Sequence, residues 1–271
     1  NLELRPTFVS VVDDSGTSSD VIAKLNRHKV NTKYIRRAAG GLGTWLAIFD
    51  NAGDVVASIS QRPDLSEIAN ILDEHGDEIF ASSDSIVVEI DMDSDILNRI
   101  FALADKYGIK VYAVVSNMSI AMERRDLMKR TGCVVCNDQE ASILFSEDYS
   151  KYEPEQLDEI IAKHAKTAQY SNFVVTLGEK GAVYVDEHGN YGHIPAQKTQ
   201  VIDTTGAGDG FFTGVAVGLT YGKSLKESCE IGTRVASSVI SNSESVCPRF
   251  EPAEFDLDPA ALRCQQMSIF D

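Results

Sequence analysis

From Asp64 onward the chain alternates short apolar runs with longer segments of helical spacing, and this alternation limits the fold more than any other feature. "SIVVEI", "IKVYAVV", "CVVCN" and "NFVVTLG" are rich in β-branched residues and lack polar alternation, which marks strands buried on both faces. Between them, "DLSEIANILDEHGDEIF", "DSDILNRIFALADKYG", "AMERRDLMKR", "DQEASILF" and "PEQLDEIIAKHAKTA" space apolar residues three and four apart, as amphipathic helices do. Gly108 offers a helix stop and Pro154 a helix start. "GAVYVDEHGNYGHIP" reads as a hairpin turning at His188-Gly189, followed by helices at about 208–221 and 224–241. Strands joined through helices pair in parallel, so the expected fold class is α/β, with a mainly parallel central sheet covered on both faces.

The first sixty residues read differently. "TFVSVV" is a buried strand, and "SSDVIAKLNRHKV" a helix capped by Ser18 or Ser19. "TKYIRR", "GTWLAIFD" and "DVVASIS" read as antiparallel ribbons, with "NAGD" as a tight turn between the last two. The expected organisation is a core of 1–30 and 61–271 with a small β element at 31–60.

Charge and thiol content narrow the partners. Forty-one acids against 25 bases give a net charge of −16, which repels nucleic acid phosphates and anionic membranes. A phosphate-bearing ligand then needs a local cradle of backbone donors or a cation. No apolar run reaches the ~18 residues of a membrane span. Five cysteines, an odd number, without a secretion signal point to reduced thiols and a cytoplasmic protein. Cys133 and Cys136 form a C-x-x-C without a second pair or a His cluster, and are expected to line a buried strand. His28, His75, His164, His188 and His193 fall in no ligand spacing and are expected at the surface.

"VIDTTGAGDGFFTGVAVGL" (201–219) carries the chemistry. Extended chain passes through a tight turn into a helix whose apolar positions are Phe211, Phe212, Val215, Ala216 and Leu219. Gly206 and Gly208 permit unusual backbone angles and close approach of a ligand. With Ala207 they present N–H groups at the positive end of a helix, an anion site that needs no lysine. Asp209, in the first turn, is placed to take a proton from an attacking hydroxyl. Gly210, Gly214 and Gly218 share one face and would allow close packing. A purely structural glycine turn fits the same spacing. A Rossmann fingerprint fails because the third glycine is misplaced, and a Walker A loop fails for lack of G-K-[ST].

"DTTGAGDGFFTG" resembles the C-terminal signature D-T-x-G-A-G-D of the PfkB (ribokinase-like) carbohydrate kinases. "NDQE" (137–140) looks like the family's N-x-x-E, and the segment "VTLGEKGAVYV" (174 onward) looks like its T-L-G-x-x-G nucleotide segment, in family order. The resemblance implies a ribokinase-like three-layer fold in which 31–60 is a β-lid over the acceptor site. It implies an ATP-dependent phosphotransferase acting on a hydroxymethyl group of a sugar or nucleoside. Asp209 would be the general base and Gly206, Ala207 and Gly208 the anion hole. Thr176, Gly178, Glu179 and Gly181 would contact ATP, and Asn137 and Glu140 would organise Mg²⁺ through water. Asp203 and Thr205 match positions that bind a monovalent cation, often K⁺, in many members. The second half of that site follows the next helix, where Glu244 stands in place of the usual glycine. Asn137 and Glu140 read equally as a helix cap and its first-turn acid, and Glu179 as an exposed loop acid.

The lid and "AVVSN" hint at the pseudouridine kinase-like branch, although "AVVSN" lacks that branch's Asp and Pro. Free lid edges favour pairing between subunits, a homodimer through the lid. Asp91 and Asp93 follow "SIVVEI"; either they face the pocket, or Asp93 or Ser94 caps the next helix. The family's opening strand, with its substrate-binding Asp and following Gly-Gly, has no counterpart before Thr7. Loss of a central strand would expose an apolar edge, so that segment is expected to belong to the protein and to be missing from the numbering. The alternative function is a nucleotide-binding regulatory protein without kinase activity.

Overall fold

The computed structural model describes residues 2, 4–49, 55–152, 154–243 and 246–262. Two compact units emerge, residues 4–79 and residues 80–271 with 1–3.

In the larger unit the expected alternation forms one six-stranded sheet. Its strands are β5 (Ser85–Glu89), β6 (Lys110–Val114), β7 (Cys133–Asn137), β8 (Phe173–Thr176), β9 (Ala182–Val185) and β10 (Tyr191–Ile194), in the order β10-β9-β8-β7-β6-β5. β5 to β8 run parallel, and β9 and β10 add antiparallel. The hairpin closes at Gly189, whose φ is 80°, with Asp186 N–H donating to Asn190 O across it.

Helices cover both faces. On one, Phe145 of α6 (Asp138–Phe145) meets Phe173 edge-on at 5.4 Å, and its ring lies 5.3 Å from that of His164 of α7 (Pro154–Ala168). The other face belongs to α8 (Ala207–Thr220) and α9 (Leu225–Ile240). There Phe211, Phe212, Val215 and Ala216 pack with Val135, Val174 and Ala182. Because side chains alternate along a strand, Phe173 and Val174 face opposite layers, which gives the three-layer fold. α3 (Ser94–Tyr107) packs beside β6 and ends at Gly108 in the left-handed conformation, the expected stop.

"AMERRDLMKR" departs from the expectation of one helix. It starts at the last residue of α4 (Met118–Ala121), passes through a 3₁₀ turn (Met122–Arg124) and forms α5 (Arg125–Met128). Met118, Ala121, Leu127 and Met128 are buried by this broken path, so burial outweighs helical continuity.

The C-x-x-C cysteines lie in β7 as expected, and both are buried. A separation of three along a strand sends them to opposite faces, so they cannot share one metal. Burial pushes the Cys133 thiol up to about 12 and the Cys136 thiol well above its ordinary value.

The smaller unit contains β1 (Ser10–Val12), α1 (Gly16–Arg27), β2 (Ile35–Arg37), β3 (Thr44–Phe49), β4 (Val55–Gln61) and α2 (Glu67–Ala81). β3 and β4 form the expected antiparallel ribbon; its turn, 51–54, lies outside the described residues. β2 corrects the reading of an antiparallel ribbon through "TKYIRR": it pairs in parallel with β1, Val11 opposite Arg36. Val11 and Val12 are buried, and α1 supplies the crossover that a parallel pair requires. The α1 cap is Ser15 rather than Ser18 or Ser19, because Ser15 Oγ accepts the Ser18 N–H at 3.2 Å. Among the described residues no helix is long and apolar enough to cross a membrane.

Candidate active site

Parallel strands deliver their C-terminal ends to one edge of a sheet, where ligands of α/β folds gather. Here that edge carries Asn137 at the end of β7 and Thr176 at the end of β8, register partners and hence neighbours. Two sequence-predicted groups, 137–140 and 176–181, are thereby brought together.

Asn137 caps α6. Its Oδ1 accepts Glu140 N–H at 2.8 Å, and Glu140 Oε2 accepts Asn137 N–H at 2.7 Å. This reciprocal box satisfies two helix-end donors and leaves the second Glu140 oxygen outside it. Burial raises the Glu140 pKa, opposed by the Asn137 N–H bond and reinforced by the charges of Asp91 and Asp138. Asp91, after β5, is 4% exposed. Of the two roles left open for the acids after β5, Asp91 turns inward. Asp93 occupies the α3 cap position without a side-chain capping bond. Among the described residues no group of three or more His, Cys, Asp or Glu side chains could hold a metal. A caged divalent ion therefore does not fit, whereas one held through water and phosphate oxygens does.

The 176–181 segment leaves β8 through a 3₁₀ turn at Gly178–Lys180. Gly178 has φ +59° with open space around it, and Glu179 is exposed. Gly181 is glycine for another reason: at φ +95°, a Cβ there would sit 2.0 Å from Ile194 O of β10.

The glycine turn before α8 is equally well defined. Gly206 is the N-cap in the left-handed conformation, φ 83°, a geometry that costs non-glycine residues about 1–2 kcal/mol. Gly208 and Asp209 are exposed in the first helical turn, where N–H groups lack intrahelical partners. Ala207 N–H donates to Thr204 O at 3.2 Å. Phe211 and Phe212 anchor the helix start in the core cluster. Asp203 Oδ1 accepts Thr205 N–H at 2.8 Å, which holds its carboxyl below the usual range. Asp203 N–H and Ile202 N–H both donate to Ile240 O, tying this loop to the end of α9. Glu244 lies outside the described residues.

Not all of the histidines expected at the surface are fully exposed. His164 is partly buried, its Nδ1 hydrogen-bonded to Tyr149 Oη at 2.8 Å, and His193 is partly buried against the 176–181 turn. Neither contact follows a sequence spacing, because the partners lie on separate elements.

A family model for the pfkB family carbohydrate kinases matches residues 1–248. The guanosine-inosine kinase of Exiguobacterium acetylicum is 31% identical over 240 residues, spanning 88% of this chain and 78% of that one. The solved Arabidopsis thaliana ribokinase, complexed with ribose and ATP, superposes with a TM-score of 0.74 at 21% identity. That match covers 91% of this chain and 80% of that one. The adenosine kinase of Sinorhizobium meliloti gives 0.73 at 21% identity, with 91% and 75% covered. With the signature turn, the strand-end segments and the three-layer fold in place, the chain belongs to the pfkB family of carbohydrate kinases, sugar and nucleoside kinases that use ATP.

Proposed function

We propose that the protein transfers the γ-phosphoryl group of ATP to a hydroxymethyl oxygen of a nucleoside, with a purine nucleoside first among the acceptors. The substrate class rests on the relationship to the guanosine-inosine kinase. The observation that carries the mechanism is an exposed carboxylate, Asp209, in the first helical turn after a left-handed glycine.

In this reading Asp209 takes the proton of the acceptor hydroxyl as its oxygen bonds to the γ-phosphorus. The bond to the β-phosphate oxygen breaks and ADP leaves. The N–H groups of Gly206, Ala207 and Gly208 face the charge that spreads over the transferring group. Ala207 exchanges its present bond to Thr204 O for this role. Thr176, Gly178, Glu179 and Gly181 flank the nucleotide. The Glu140 oxygen outside the capping box, with Asn137, holds waters of a Mg²⁺ ion, which when bound neutralises phosphate charge. A monovalent cation such as K⁺ would be held by the loop of Asp203 and Thr205, which is tied to the end of α9.

The ribbon β3–β4 is the lid of this proposal, and copies of it pair in a homodimer. Leu46, Ile48 and Ile59 are register neighbours on one ribbon face and are all exposed, an apolar stripe suited to cover.

The test is ADP release from the complete protein with ATP, Mg²⁺ and a panel of nucleosides and sugars. Stimulation by inosine or guanosine above the sugars is expected. ATP binding with no acceptor stimulating release would replace this reading with a nucleotide-binding regulator.

A further inference from the structure

The 176–181 turn is held from outside by a side chain that the proposed mechanism does not use. Its own bonds are internal: Lys180 N–H to Leu177 O, Gly181 N–H to Gly178 O, and Leu177 N–H to Gly181 O at 2.7 Å. Its ends run on into the paired strands β8 and β9. His193, on β10, reaches into it: Nε2 lies 2.5 Å from Lys180 O. A carbonyl oxygen only accepts, so Nε2 carries the proton.

The other ring nitrogen faces Asp158 of α7, with Nδ1 3.4 Å from Oδ1. That oxygen is fully buried and makes no hydrogen bond. The separation lies beyond a good N–H···O bond, so Asp158 borders the ring without a hydrogen bond to it. Asp158, His193 and Lys180 come from α7, β10 and the turn, three elements that meet only in the folded chain.

We propose that His193 is a positioning residue for the nucleotide: its Nε2–H holds the Lys180 carbonyl and so fixes the 176–181 turn in the pose that receives ADP or ATP. The inference rests on the nucleotide role proposed above for this turn.

The experiment is calorimetric titration of the complete protein with ADP and Mg²⁺, each variant held below its own melting transition. Loss of one hydrogen bond to the turn predicts that His193→Ala weakens ADP about tenfold. His193→Gln, whose amide N–H can reach the same carbonyl, should stay within about twofold of the wild type. Once an acceptor is in hand, His193→Ala should raise KM for ATP and leave kcat unchanged. Gly178→Leu, which fills the open space at the turn, serves as the control for the site itself. If it abolishes ADP binding while His193→Ala binds like the wild type, the positioning role is overturned and the nucleotide turn stands. Equal losses in His193→Ala and His193→Gln overturn it too, since ring packing rather than the donor would then matter. If Gly178→Leu binds ADP normally, the turn is not the nucleotide site and the underlying reading falls.

Discussion

A Cβ added at Gly208 would meet nothing within 4 Å, whereas one added at Gly214, further along the same helix, would lie 2.5 Å from the Cα of Gly232. Gly218 is as crowded, with its Cβ 2.6 Å from Ser228 Oγ, and Gly210 would press on Val239 at 3.0 Å. The start and the body of α8 therefore use glycine for opposite reasons. In the body, the missing side chains let α8 and α9 approach until backbone meets backbone, and any added atom must displace main chain. At the start, Gly208 is exposed and a side chain there would meet only open space. The proposed function uses that difference: the open end of α8 faces the ligand, and the crowded body packs.

The sharpest challenge to the comparison is Asp209→Asn, which keeps the turn and removes the proposed base. Turnover should fall about 10²–10⁴-fold while ADP affinity, read by calorimetry, stays near that of the wild type. Unchanged turnover would make the open turn a structural accident. Next in size is Gly214→Ala in the crowded body. Overpacking against backbone should cost about 1–3 kcal/mol of stability in a denaturant titration, with ADP still bound below the transition. The smallest effect is expected at the open end. Gly208→Ala meets no neighbour, so its stability should match or slightly exceed that of the wild type, since alanine favours a helix by about 0.5–1 kcal/mol over glycine. Its kcat should nonetheless fall, because the methyl group occupies the cradle. A Gly208→Ala protein that is destabilised yet fully active would reverse the comparison.

Much of the larger unit was legible before any coordinates. β5 to β8 and the helices between them follow from apolar runs and helical spacing, which are local properties of the chain. The 176–181 and 206–209 turns were legible because glycine and the acid sit at fixed offsets. "AMERRDLMKR" departs from its spacing because a path that buries Ala121, Leu127 and Met128 replaces the single helix that the spacing alone would continue. "TKYIRR" was misread because proximity to the next ribbon suggested a partner, whereas β2 finds β1 across α1. The Asn137–Glu140 pair is legible as a motif, and its capping box shows why the spacing alone leaves two roles open: the box uses one Glu140 oxygen and leaves the other outside it.

By itself the sequence determined which segments are strands and helices in the sheet unit, where the chain turns on glycine, and that Asp209 follows such a turn. Periodicity and residue spacing encode these because each depends on neighbours a few positions away. Tertiary structure alone decided that Gly214 meets Gly232, that Asp91 is buried, and that His193 reaches Lys180 with Asp158 behind it. Those contacts join residues far apart in the chain, and they exist only once packing has brought separate elements within a few ångströms.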